Sequence, residues 1–282
     1  MNDSIVLVDK PAGITSFDVI KKLRKITGIK RIGHAGVLDK MATGLLICAT
    51  GRATRLLSIF EDGYKIYEAE FLFGLRTDTF DVSGRVIEKK PCNISSEDIK
   101  TAVNGFIGAI QQMPPPFSNV KVAGKRLYKY ALKNEQVNIK PRTVIIKDIE
   151  ILSVDGNIAS LRITCSKGTY IRSLANDLGE KLQCGCVVKS LKRTYIHPFS
   201  LKQAGDPDNP RFLKLSEALF FIPRINVGKD IAEKIKNGAN ICRLIFCENL
   251  KEDIYAVFDN RDNLVAVIER NNRTFSYKGV FI

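Results

Sequence analysis

The stretch Arg31-Ile32-Gly33-His34-Ala35-Gly36-Val37-Leu38-Asp39-Lys40-Met41-Ala42-Thr43-Gly44 sets three glycines, one of the chain's two histidines and a single carboxylate between a basic segment and an apolar one. Glycine accepts positive φ and lets a backbone come close to a ligand, so this spacing predicts a loop shaped for contact. Asp39 has no second carboxylate near it in sequence, which argues against a glycosidase-like acid and base pair or a carboxylate metal cage. From these residues alone two readings of Asp39 stay open. It is either a turn cap that accepts local N–H bonds or the lone carboxylate of an active site. His34 is likewise open between a satisfied loop histidine and a ligand-facing one.

Upstream of the loop, Lys10-Pro11-Ala12-Gly13 is a turn and Ser16 is read as a helix cap. Phe17, Ile20, Leu23 and Ile26 then recur at helical spacing as far as Gly28. Lys21, Lys22, Arg24 and Lys25 give that helix a basic face, either simply solvated or turned to phosphate. Downstream, residues 45–50 predict a buried strand, 53–60 a short helix and 64–73 an alternating, aromatic-rich strand. A polar loop follows at 74–81 and a return strand at 84–89. Ser95 or Ser96 caps a helix whose apolar face is Ile99, Ala102, Val103 and Phe106. Residues 112–118 contain consecutive prolines and cannot be regular structure. Strands at 144–152 and 158–165 precede a helix at 170–182 with Leu174, Leu178 and Leu182 on one face. Several strand pairs read as hairpins, so the expected class is α+β with a mixed, mainly antiparallel central sheet flanked by helices and loops.

From about Ile225 the pattern changes. Val227, Ile231, Ile235 and Gly238 predict a small helix and turn, with short strands at 243–247, 254–258 and 264–269. The expected division is therefore a larger domain over 1–224 and a small β-rich domain over 225–282. Of the formal net charge of +14, residues 225–282 hold only +1, with nine Lys/Arg against eight Asp/Glu, which leaves +13 on residues 1–224. That excess predicts a polyanionic partner, nucleic acid foremost, on the larger part. The N-terminal apolar run is short and flanked by acidic residues, so it reads as a strand and not as a signal peptide. No apolar run approaches the ~20 residues of a membrane helix. The seven cysteines (48, 92, 165, 184, 186, 242 and 247) form no CxxC pair, and only two histidines stand by them. The expectation is reduced, structural thiols in the cytoplasm, with no metal site.

Taken together and in order, five segments resemble the TruB family of tRNA pseudouridine synthases. Gly33-His34-Ala35-Gly36-Val37-Leu38-Asp39 resembles the family's catalytic-aspartate motif, and Lys10-Pro11-Ala12-Gly13-Ile14-Thr15-Ser16 its N-terminal KPxGxTS signature. Lys65-Ile66-Tyr67, with Gly74 and Thr77-Asp78-Thr79-Phe80-Asp81, is similar to its tyrosine motif. Cys165-Ser166-Lys167-Gly168-Thr169-Tyr170-Ile171-Arg172-Ser173-Leu174 is similar to its arginine motif, and Leu191-Lys192-Arg193 to a further active-site segment. The resemblance spans roughly residues 5–200. Three positions depart from the family pattern: Val37 where Thr is usual, Lys40 where Pro is usual, and Asn119 in place of Ala in the FSAxK segment. The tail resembles a PUA domain only loosely.

The resemblance implies isomerisation of uridine to pseudouridine at position 55 in the T-loop of tRNA, an intramolecular transfer that requires no metal or other cofactor. It implies that Asp39 is the catalytic carboxylate, either as nucleophile or as the base that removes a ribose proton to form a glycal. Arg172 is implied as its cationic partner. Tyr67 is implied to stack on the target base and to remove the carbon-5 proton after re-attachment. Tyr170 is implied to line the same pocket and Leu191 to give it an apolar wall. His34 is implied to fill the space left by a flipped base. Lys10, Gly36, Lys65, Asp81 and Lys167 are implied substrate or RNA contacts. So is Lys121, within a basic, tyrosine-bearing insert over 121–140 that closes on RNA through Lys and Arg. The implied enzyme is a monomer that acts on tRNA with no obligate protein partner and no membrane. A guide-dependent rRNA-modifying paralogue and a non-catalytic tRNA-binding or folding chaperone are the alternatives.

Overall fold

The Thr15 hydroxyl accepts a bond from Asp18 N at 3.1 Å, and the Asp18 carboxylate accepts one from Thr15 N at 3.0 Å. This capping box opens the helix Ser16–Thr27, and bonds donated by the Thr15 hydroxyl, at 2.6 Å, and by Thr15 N hold the Asp18 carboxyl well below the usual carboxylate range. Thr15 and not Ser16 is thus the cap, because an acid stands three residues beyond Thr15 and none stands three beyond Ser16. The buried stripe is Ser16, Val19, Ile20 and Leu23. Phe17 and Ile26, expected within it, lie on its flanks and are about half exposed. Gly28 ends the helix at φ +71°.

The structure, a computed structural model, describes residues 3–133, 135–245, 247–272 and 274–281. Its contacts separate into two compact units, one of residues 1–40, 45–61 and 202–282 and one of residues 41–44 and 62–201.

In the first unit, the strand Ile5–Lys10 lies between Arg211–Leu213 and the strand Thr43–Thr50. Ile32–His34 pairs antiparallel with the far end of Thr43–Thr50, His34 opposite Cys48. Four of the Ile5–Lys10 side chains, Ile5, Val6, Leu7 and Val8, are wholly buried, as a continuous apolar run requires. The same unit holds a separate four-stranded sheet in the order Arg224–Val227, Ile254–Asp259, Leu264–Asn271, Thr274–Val280, the first pair parallel and the others antiparallel. Its core gathers Val227, Ile235, Ile241, Val257, Val265 and Ile268. Here the sequence reading needs correction. The expected strand over 243–247 begins instead with the end of a short helix, Ile241–Leu244, which Asn240 starts by accepting from Cys242 N at 2.9 Å. Two strands, Arg224–Val227 and Thr274–Val280, were missed because charged and polar residues interrupt their alternation.

In the second unit, five strands run antiparallel in the order Cys186–Ile196, Lys65–Phe73, Ile158–Cys165, Arg142–Asp155, Gly108–Gln112. Burial alternates strictly along Lys65–Phe73, which turns Lys65, Tyr67, Ala69, Phe71 and Phe73 to the protected face. The polar loop expected over 74–81 contains a short strand, Leu75–Thr77, paired with Val86–Lys89. Ser95 caps the helix Ser96–Asn104 through a second capping box with Asp98. In the basic insert, Lys121–Val122 and Lys125–Arg126 form a small hairpin followed by the helix Leu127–Ala131.

Thr43 and Gly44 pair in parallel with Lys192 and Arg193. A Cβ on Gly44, which sits at φ +103°, would stand 2.3 Å from Arg193 O. Gly33 is less constrained, since its Cβ would meet closely only Leu57 Cδ1, at 2.8 Å, the far end of a side chain that can give way. Gly44 therefore answers to packing inside the protein.

The helix Ile171–Lys181 buries Ile171, Leu174, Ala175 and Leu178. Asp177, half-buried on its flank, has its carboxyl pushed up to about 6, chiefly by burial, with the Glu180 charge adding and a bond from Asn176 opposing. A raised carboxyl destabilises the fold at pH values above its folded-state value, and the cost fades as pH falls toward the unfolded value near 3.8. Asp177→Asn is thus expected to stabilise the protein by about 1 kcal/mol at pH 7.5, after allowance for solvent screening, and by nothing near pH 4. Urea unfolding at the two pH values measures it; an equal effect at both contradicts it.

Candidate active site

The loop around Asp39 is held by its backbone. Ala35 N donates to Ile47 O at 2.8 Å, Leu38 N donates to the Ser16 hydroxyl at 2.9 Å, and Gly13 N donates to Lys40 O at 2.8 Å. The Ser16 hydroxyl in turn donates to Leu38 O at 3.2 Å. Ala35 and Leu38 are buried, whereas Val37 is 50% exposed and Asp39 half-buried. Inward apolar residues thus anchor a loop that turns other residues outward. Gly36 meets the backbone need of the loop at φ +84°. His34 closes the short strand Ile32–His34 immediately before it.

Lys10 was expected to touch RNA, but its side chain is wholly buried. Its ammonium donates to Pro11 O and Ile14 O, both at 2.9 Å, and so tightens the turn that carries Gly13 and leads to Ser16. Lys65 is likewise buried and donates to Gly63 O at 2.9 Å. Both ammoniums thus also brace the local backbone.

In the second unit, Tyr67 lies between Ile163 on one neighbouring strand and Arg193 on the other. Leu191 stands opposite Ala69 on that same strand pair and is buried. The strand Cys186–Ile196, which carries Leu191 and the buried Arg193, was not foreseen. Its signal, a valine pair followed by Leu191 and aromatic Tyr195, was broken by Lys189, Lys192 and Arg193.

Arg172 occupies the first turn of its helix and is almost fully buried. Its guanidinium donates to Thr79 O at 2.9 Å and to Phe117 O at 3.1 Å, and lies 3.7 Å from the Asp81 carboxylate. Asp81 accepts from the Thr79 hydroxyl at 2.9 Å, from Ser83 N at 2.9 Å and from the Ser83 hydroxyl. Asp81, implied by the resemblance as a substrate or RNA contact, is buried and bonded to its own loop and to Arg172. Fixed in this way, Arg172 ties together the 77–81 loop, the proline segment and the helix start.

Gln112 fastens the next residue back, since its side chain donates to Tyr170 O at 3.0 Å and accepts from Tyr170 N at 2.7 Å. Ser173 donates to Met113 O at 2.7 Å. Gln112 and Ser173 were missed by sequence reasoning, because an amide and a hydroxyl beside a proline run carry no pattern of their own. Lys167 and Lys121 are exposed, the former paired with Asp62 at 2.6 Å. Tyr64 and Tyr195 stack with ring centroids 5.2 Å apart. Lys147 Nζ lies 4.5 Å from the Tyr64 ring centroid. The Tyr195 hydroxyl is pushed up to about 12, chiefly by burial and also by the adjoining Tyr64 hydroxyl. Among the described residues no group of three His, Cys, Asp or Glu is disposed to hold a metal ion.

Residues 24–171 match the family model described as TruB family pseudouridylate synthase, N-terminal domain. The chain belongs to the TruB family. The matched region takes in Asp39, Tyr67 and Tyr170 and ends one residue before Arg172. A TruB relative from Endomicrobium trichonymphae, tRNA pseudouridine synthase B, is 47% identical over 203 residues, covering 72% of this chain and 88% of the relative. A protein of the same name from Thermotoga maritima is 35% identical over 283 residues, covering 95% of this chain and 90% of the relative. Among solved structures, a chain in a Cbf5-Nop10-Gar1 complex superposes with a TM-score of 0.73 at 22% identity, over 99% of this chain and 85% of that one. That likeness establishes the fold. As a TruB enzyme the chain is an isomerase that forms pseudouridine, and no helix among its described residues is long and apolar enough to cross a membrane.

Proposed function

We propose that this chain converts uridine to pseudouridine at position 55 in the T-loop of tRNA. The observation that carries the reading is Asp39, the one carboxylate of a loop whose backbone is tied on both sides of it, in a TruB chain whose relatives are named tRNA pseudouridine synthase B. The charge of +14 suits a phosphate-rich substrate.

The reaction breaks the bond from ribose carbon 1′ to uracil N1, turns the base and joins carbon 1′ to carbon 5. Carbon 5 loses a proton and N1 gains one, so product and substrate are isomers and no external reactant enters. Asp39 acts as nucleophile on carbon 1′ or removes the 2′ proton to give a glycal. Tyr67 stacks on the base and takes the carbon-5 proton. Arg172 holds the 77–81 loop and the proline segment in place for the reaction. Extraction of the stacked uridine costs a few kcal/mol, offset by the pocket of Tyr67, Tyr170 and Leu191. His34 and Gly36 meet the RNA beside the flipped base, and Lys121 and Lys167 meet phosphate. Residues 1–224 form the catalytic part and 225–282 a PUA-like part, in a cytoplasmic monomer with no obligate protein partner.

Incubation with an unmodified full-length tRNA transcript, followed by mapping of pseudouridine at nucleotide resolution, tests this. Product at the T-loop uridine and at no other uridine is expected. Tight binding with every uridine unchanged would instead favour a tRNA chaperone.

A further inference from the structure

We propose that Ser16 is a positioning residue for Asp39. The inference rests on the reading of Asp39 as the catalytic carboxylate. Ser16 is the first residue of its helix and is buried, and it is not needed as a cap because Thr15 and Asp18 fill that role. Its hydroxyl is turned instead to the residue before Asp39, where it accepts from Leu38 N at 2.9 Å and donates to Leu38 O at 3.2 Å. One side chain thus bonds both backbone polar groups of a single residue, Leu38, and so engages the two peptide units that flank its Cα. On the other side of Asp39, Gly13 N holds Lys40 O at 2.8 Å. Gly13 and Ser16 belong to one turn, which the Lys10 ammonium closes through Pro11 O and Ile14 O. Asp39 is therefore flanked by three bonds from the same segment, two on Leu38 and one on Lys40, which oppose a shift of its Cα.

A carboxylate that must meet one ribose atom gains most from such fixation, because a misplacement of about 1 Å costs on the order of 10²-fold in rate. Loss of the Ser16 hydroxyl leaves the buried Leu38 amide without its acceptor, and the loop must move to satisfy it.

The test compares Ser16→Ala, Thr15→Ala and Asp39→Asn with the unaltered chain. Single-turnover pseudouridine formation, tRNA affinity, thermal midpoint and amide exchange over residues 33–50 are measured for each. Ser16→Ala is expected to slow the single-turnover rate on the order of ten- to a hundred-fold. Its tRNA affinity should change less than about three-fold, and faster exchange should be confined to Leu38 and its neighbours while the Thr43–Thr50 strand stays protected. Thr15→Ala weakens the same helix without touching Leu38, so it is expected to lower the thermal midpoint and keep the rate. A wild-type rate for Ser16→Ala overturns the proposal. So does a rate loss that Thr15→Ala reproduces. Full activity of Asp39→Asn would defeat the underlying reading of Asp39 instead, whatever Ser16→Ala does.

Discussion

Asp39→Asn is expected to lower pseudouridine formation on the order of 10⁴-fold or more, the scale on which loss of a catalytic nucleophile acts. The substitution is nearly isosteric and removes only the charge and the basic oxygen. An amide neither attacks carbon 1′ nor removes a ribose proton. The bonds that hold the loop come from the backbone of Ala35, Leu38 and Lys40, so they survive the change. Thermal midpoint and tRNA affinity should stay within about 1 °C and three-fold of the unaltered chain. The decisive comparison is single-turnover rate against affinity. A variant that loses affinity in step with rate would make Asp39 a docking group and not a chemical one.

Arg172→Ala is expected to have the largest effect on stability. Its guanidinium serves the carbonyls of Thr79 and Phe117 and faces the buried Asp81 carboxylate. Removal strands a buried anion and two carbonyls, and breaking a buried pair from one side costs about 3–5 kcal/mol. For a chain of this size that lowers the thermal midpoint by roughly 10 °C. Arg172→Lys should recover little, because a single ammonium lacks the fork that reaches three acceptors. Asp81→Ala combined with Arg172→Ala should be less damaging than the sum of the two single changes, because the stranded charge is gone. Strict additivity in that double-mutant cycle would contradict the pairing.

The architecture was largely legible because the informative segments are long and periodic. Lys65–Phe73 alternates without interruption, and Ile158–Cys165 repeats the pattern, so both strands and their antiparallel relation follow from the residues. The Cys186–Ile196 strand was not legible, since buried Arg193 and exposed Lys189 and Lys192 disguise it. At the site, residue types pointed to the loop and to Asp39, but not to the work of their supports. Lys10, Lys65 and Asp81 are implied as contacts by the family resemblance alone, and no residue type announces their buried bonds to carbonyls and to Arg172. Ser16 read as a cap because caps and buried hydroxyl bridges use the same residue type. Only the acid three residues beyond Thr15 separates the two, and that distinction was available at Asp18.

The most direct measurement uses a tRNA transcript carrying tritium on carbon 5 of uridine 55 alone, incubated with the purified chain. Formation of the carbon–carbon glycosidic bond must expel that hydrogen into water while the mass of the unlabelled nucleoside stays the same. One equivalent of tritium released per tRNA, with none from the Asp39→Asn chain, is the predicted result. Retention of the label in a transcript that the chain binds would contradict the central claim.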